Sequence, residues 1–169
     1  MKRYITFASL AFVLLQGSMA QTIIKPSVKT KTTFAIVTDT KSYEEAKEEI
    51  EAYRTSVEQE GLGTYLVIND WKTPQPIREV LQKLHEDKKS PLEGCVLVGD
   101  IPIPMIRDAQ HLCSAFKMNQ TMDWQRSSVP SDRYYDDFDL KFDYIKQDSL
   151  QTNYHYLSLR ADSKQYLSP

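Results

Sequence analysis

Gly94-Cys95-Val96-Leu97-Val98-Gly99-Asp100, continued by Ile101-Pro102-Ile103-Pro104, is the stretch on which the fold turns. An apolar, β-branched run that stops at Gly-Asp reads as a buried parallel strand, and the alternating prolines behind it deliver a loop. That loop leads on to Ser128-Val129-Pro130-Ser131-Asp132-Arg133-Tyr134-Tyr135-Asp136-Asp137. Functional residues are expected in it, because loops held by a rigid scaffold carry recognition and chemistry.

Upstream of the stretch, the pattern repeats twice. Thr33-Phe34-Ala35-Ile36-Val37-Thr38 is a β-branched run closed by Asp39, and Ser42-Tyr43-Glu44-Glu45 reads as a capping box with Ser42 as N-cap. The helix that follows carries Tyr43, Ala46, Ile50, Tyr53 and Val57 on one face and stops at Gly61. Tyr65-Leu66-Val67-Ile68 is the next strand, and Thr73-Pro74-Gln75-Pro76 opens a helix striped by Ile77, Val80, Leu81 and Leu84. The order strand, helix, strand, helix, strand with short connections predicts an α/β fold built on a parallel βαβαβ sheet of the doubly wound kind. Gln21 to Lys31 has no helical period and reads as a tether or an edge segment. Downstream, Leu140 to Tyr156 alternates around Gln147-Asp148-Ser149 and predicts a β-hairpin. Met105 to Arg126 lacks a clear period and reads as a long excursion with a short helix over 108–118. The chain stops without a closing element, as expected of an incomplete domain.

The chain has 169 residues, 41% hydrophobic, which suits one domain with a real core over 32–169. A formal charge of −2 without a basic tract gives no footprint for nucleic acid. Lys2 and Arg3 precede an apolar run from Ile5 to Leu15, and Ser18 and Ala20 supply a small-x-small pattern. Residues 1–20 therefore read as a secretion signal, too short to span a bilayer comfortably. The expected location is outside the cell or in its envelope or periplasm, with no membrane contact after the signal is removed. Of the two cysteines, Cys95 sits in the apolar run as a small buried hydrophobe, and a disulfide to Cys113 is permitted but not required.

Asp39, Asp70 and Asp100 each close a predicted strand, and open α/β sheets bind ligands outside that edge. They are expected either as strand terminators and caps or as an acidic site for a cation or a basic peptide. Gly99 allows the backbone at Asp100 to approach something closely. Asp132, Asp136, Asp137, Asp139 and Asp143 crowd one short stretch, so Asp136, Asp137 and Asp139 are candidate calcium ligands, although no EF-hand pattern is present. His85, His111 and His155 are scattered and lack zinc spacing. His111-Leu112-Cys113 has the residue types of a nucleophile and base, but they diverge on a helix and converge only on a strand. No Gly-rich phosphate loop occurs.

Val96-Leu97-Val98-Gly99-Asp100 together with Pro130-Ser131-Asp132-Arg133-Tyr134-Tyr135-Asp136-Asp137-Phe138-Asp139 resembles the first subdomain of the gingipain-type cysteine peptidases, over roughly Thr32 to Pro169. The resemblance implies a secreted protein of caspase-like fold that handles peptide or protein substrates with basic side chains. It implies a substrate-binding role for Asp132, since a carboxylate suits a guanidinium, and Asp100 at the strand-end edge is expected as a second acidic contributor. It also keeps calcium as a possible cofactor. The family's catalytic histidine lies in a Gly-His-Gly motif and its cysteine follows a further strand, and neither motif occurs here. No catalytic residue is therefore assigned, and the missing catalytic half is itself an expected partner. The alternative is a stand-alone secreted binding module whose acidic edge takes calcium or a basic peptide.

Overall fold

The computed structural model describes residues 21–109 and 119–163. It is a mixed α/β fold with two four-stranded sheets. The first sheet holds β1 (Thr22–Ile24), β2 (Thr33–Thr38), β3 (Gly63–Ile68) and β4 (Leu92–Val98) in the order β1-β3-β2-β4. β2 runs parallel to both β3 and β4, with Ala35 opposite Tyr65 on one side and Cys95 on the other. β1 pairs antiparallel with β3, so the residues before β2 form an edge segment and the sheet is mixed.

The crossovers are α1 (Thr40–Glu45) with α2 (Lys47–Gln59), and α3 (Gln75–His85). The N-cap of α1 is Asp39 rather than Ser42: Asp39 Oδ1 accepts the Ser42 N–H at 2.9 Å. Ser42 already lies inside the helix, so the Ser-x-x-Glu spacing marks its first turn and not its boundary. The helical run then breaks at Ala46, where φ is −125°. Gly61 ends α2 with φ +94°, a conformation open to glycine without a Cβ penalty. Pro74 caps α3 and Pro76 sits in its first turn, where no intrahelical N–H is needed.

β4 ends at Val98, but the chain beyond Pro102 does not remain a loop. Ile103–Arg107 is β5, which lies between β6 (Val129–Pro130) and β8 (Tyr154–Leu159) in a second sheet ordered β6-β5-β8-β7, with β7 at Phe142–Gln147. Pro104 is tolerated because the β6 ladder starts only at Met105, so no donor is required of the proline there. The predicted hairpin is present as antiparallel β7 and β8, yet it is no appendage of the first sheet, since β8 runs parallel to β5. A single turn, α4 (Arg133–Asp136), lies between the sheets' connections.

Two apolar clusters follow from the period-2 alternation of the central strands. Ala35, Val37 and Val67 point to one side and join Ile77 and Leu81 of α3 to Ile106, Tyr134, Tyr135 and Leu157 of the second half. Ile36, Leu66 and Ile68 point to the other and pack on Ile50 of α2. The second sheet is therefore bonded to the first through one continuous core, which is what fixes the loops between them. No described helix is long and apolar enough to cross a membrane. Residues 1–20, read as a signal, lie outside the described residues, as do 110–118 of the expected short helix with His111 and Cys113.

Candidate functional site

A groove of about 680 Å³ opens beside β4, lined by Glu93, Cys95, Leu97, Asp100, Asp132 and Asp136, with no basic side chain in its wall among the described residues. Asp100 and Asp132, the two acids assigned to substrate binding on sequence grounds, thus share one cavity. Neither carboxylate, nor that of Glu93, has a hydrogen-bond or ion-pair partner among the described residues, and all three residues are exposed. Three like charges, Glu93, Asp100 and Asp132, gathered around an open groove favour a cation from outside.

Several bonds bring the acids together. Tyr135, buried in the core, donates its hydroxyl to the Pro102 carbonyl at 2.6 Å and so pins α4 against the segment that follows β4. Arg78 of α3 donates to the carbonyls of Tyr134, Asp137 (2.9 Å) and Leu140 (2.8 Å). Its guanidinium lies over the rings of Tyr134, Phe138 and Phe142 at 5.1 to 5.5 Å, a combination of fork geometry and stacking that lysine cannot reproduce. Burial pushes the Arg78 pKa down, with Tyr134, Asp137 and Asp136 opposing. Nothing in the sequence marks Arg78 as a clamp or the Tyr135 hydroxyl as a donor to Pro102. A lone arginine in an amphipathic helix has the signal of a solvated position, and only the tertiary fold gives it carbonyls to hold.

The three strand-end acids separate in role. Asp39 is buried, and its carboxylate is consumed by Ser42 and by the Asp100 N–H at 2.7 Å. Burial works against its charge, but the bonds from Ser42 and from the Asp100 backbone outweigh it and hold the pKa below the ordinary carboxylate range. Asp70 is exposed and lies outside the groove. Asp100 alone of the three faces it. Gly99 has φ +87°, and a Cβ there would collide with the Asp39 carboxylate and Ser42. The close approach expected at Gly99 is thus to the cap of α1, not to a ligand.

The expected calcium ligands are not assembled into a set. Arg133 bonds Asp137 at 2.6 Å and approaches Asp136 at 3.5 Å, while Asp137 Oδ1 accepts the backbone N–H of Asp139. No grouping of three acidic, histidine or cysteine side chains that could hold a metal ion occurs among the described residues. The spacing in sequence placed these acids near one another, but an internal arginine is their counterion. Asp136 is nevertheless held above the usual range, by burial first and then by Asp137 and Asp132, against the pull of Arg133.

Cys95 lies on the wall of the groove as a free thiol. Burial, with the charges of Asp136 and Asp132, pushes its pKa up to about 11, so it is a protonated hydrophobe at neutral pH and no nucleophile. His85 donates to or accepts from nothing catalytic: its Nδ1 sits 3.0 Å from the Leu92 carbonyl. His155 is wholly buried beside Tyr144 on the second sheet. No protein-family model matches this chain, and no curated protein or solved structure shows significant similarity to it.

Proposed function

We propose that this chain is the substrate-recognition part of a secreted, gingipain-type cysteine-peptidase-like protein, in which the groove beside β4 receives the basic side chain of a peptide. The observation that supports the reading is the shared groove itself: Asp100 and Asp132 face one cavity with Glu93, and among the described residues none of these three carboxylates has a cationic partner. A guanidinium there would exchange water for charge-assisted bonds to the carboxylates of Asp100 and Asp132, which have no partner among the described residues. The parallel strands β2, β3 and β4 with their crossover helices are the arrangement a caspase-like subdomain would use. In this reading the chain binds and orients but does not cleave, since the histidine and cysteine motifs of the family do not occur in it.

The test is binding of a short arginyl peptide to the full chain, followed by fluorescence anisotropy at low salt. Asp132→Asn is expected to weaken it by about tenfold, the loss of one charge-assisted pair. Equal affinity in the variant sinks the proposal. Incubation with arginyl and lysyl peptides and a thiol is expected to give no hydrolysis.

A further inference from the structure

The acidic groove has a backbone wall as well as a carboxylate one. Among the described residues β4 pairs with β2 alone, and its backbone from Gly94 to Val98 makes no hydrogen bond on the other side. The side chains tell the same story. Ala35, Ile36 and Val37 of β2 are 0% exposed, whereas their register partners Cys95, Val96 and Leu97 are only half-buried. A strand apolar on both faces is the sequence of a sheet interior, here standing at a sheet's edge.

Among the described residues, the remaining sheet edges are protected and the Gly94–Val98 edge is not. β1 has three residues and runs straight into Lys25 and Pro26. β6 has two, one of them Pro130. β7 carries Asp143 and Lys146, with a register shift between Tyr144 and Lys146. Short length, charge, proline and bulges are the usual means of blocking unwanted pairing. β4 has seven residues, and its one irregularity lies at the start, leaving Gly94 to Val98 in register. The groove runs beside that stretch.

We infer that the free edge of β4 takes an extended peptide by strand addition, the peptide's main chain pairing with Gly94–Val98 while its basic side chains meet Glu93, Asp100 and Asp132. The inference rests on the groove being a binding surface for basic peptides and adds how the peptide is held. Main-chain pairing supplies affinity in such complexes, and alternate side chains supply selectivity. A second copy of this chain is disfavoured as the occupant, because edge-to-edge pairing would bring two sets of these carboxylates together.

The experiment uses the full chain and a fluorescent peptide of seven alternating valine and lysine residues, matched in length to β4. Two further versions are N-methylated on the amides of one alternate frame or the other, and a fourth replaces lysine by glutamate. The expected result is binding of the parent, a loss of about tenfold or more in one methylated frame only, and no binding of the glutamate peptide. Equal binding of both methylated frames and the parent overturns strand addition while leaving the acidic groove as a site. Failure of the parent to bind overturns both readings, as does equal binding of the glutamate peptide. A dimer that persists at saturating parent peptide overturns the inference in favour of a second copy.

Discussion

Asp39 Oδ2 accepts the backbone N–H of Asp100 at 2.7 Å, which ties the C-terminal end of β2 to that of β4. The same carboxylate caps α1 through Ser42. One buried side chain therefore sets both the start of the first crossover helix and the exit of the strand beside the groove.

Gly99 is the residue that lets this bond form. With φ +87° and no room for a Cβ against Asp39 and Ser42, Gly99→Ala is expected to cost about 3 kcal/mol, from backbone strain and loss of the cap together. Urea unfolding should show a lower midpoint with an unchanged slope. A midpoint within error of wild type would mean that the cap and the strand exit are not coupled.

Arg78→Lys keeps the charge but loses the fork that spans the carbonyls of Tyr134, Asp137 and Leu140. The expected destabilisation is about 2–3 kcal/mol, since hydrogen bonds from a charged donor are worth more than neutral ones and one of them can survive. Because Arg78 holds α4, affinity for an arginyl peptide should fall in parallel, although Arg78 does not line the groove. Stability lost with affinity intact would show that α4 is held by other contacts.

Cys95, with its pKa near 11, is expected to react slowly with a disulfide reagent at pH 8 in the native protein and at least tenfold faster in urea. Mass mapping of the labelled peptides separates it from Cys113. Rapid native labelling at Cys95 contradicts the half-buried, protonated thiol.

His155 and Asp148 give the protein two separate acid responses. His155 Nε2 is buried without a hydrogen-bond partner among the described residues, and burial holds its pKa below the ordinary value of about 6.5. The unfolded chain then binds a proton that the folded chain refuses, so stability falls as pH drops below about 6.5. Asp148 accepts the N–H groups of Gln151 and Leu150, which hold it at about 2, so its contribution is present above pH ~4 and is lost between there and about 2. In thermal melts, His155→Phe should flatten the profile between pH 7 and 5 and leave the lower step in place. An unchanged slope in that variant would assign the upper step to another group.

The strands β2, β3 and β4, the two crossover helices and the β7–β8 hairpin are legible in the chain because each rests on a local period or a local stop. Thr33–Thr38 alternates its burial partners, α3 carries Ile77, Val80 and Leu81 on one stripe, and Asp148 marks the hairpin turn. Two cap-forming residues, Asp39 and Ser42, stand three apart in the sequence, and the Ser42 N–H to Asp39 bond selects Asp39. Pro102 and Pro104 speak locally for a break, whereas the partners that make β5 a strand, β6 and β8, lie far along the chain.

By itself, the sequence determined which segments are apolar on both faces, where the chain turns, and that acids cluster after β4 and around α4. Tertiary structure decided what those acids do. Arg133 pairs with Asp137 and lies 3.5 Å from Asp136, and Asp39 is consumed by backbone donors. Asp100 and Asp132 are left facing one groove. Periodicity is a property of neighbours in the chain, and hydrophobic burial enforces it locally. Charge pairing depends on distances across the fold, and these are set by bonds such as Tyr135 to Pro102 that no spacing in the sequence announces.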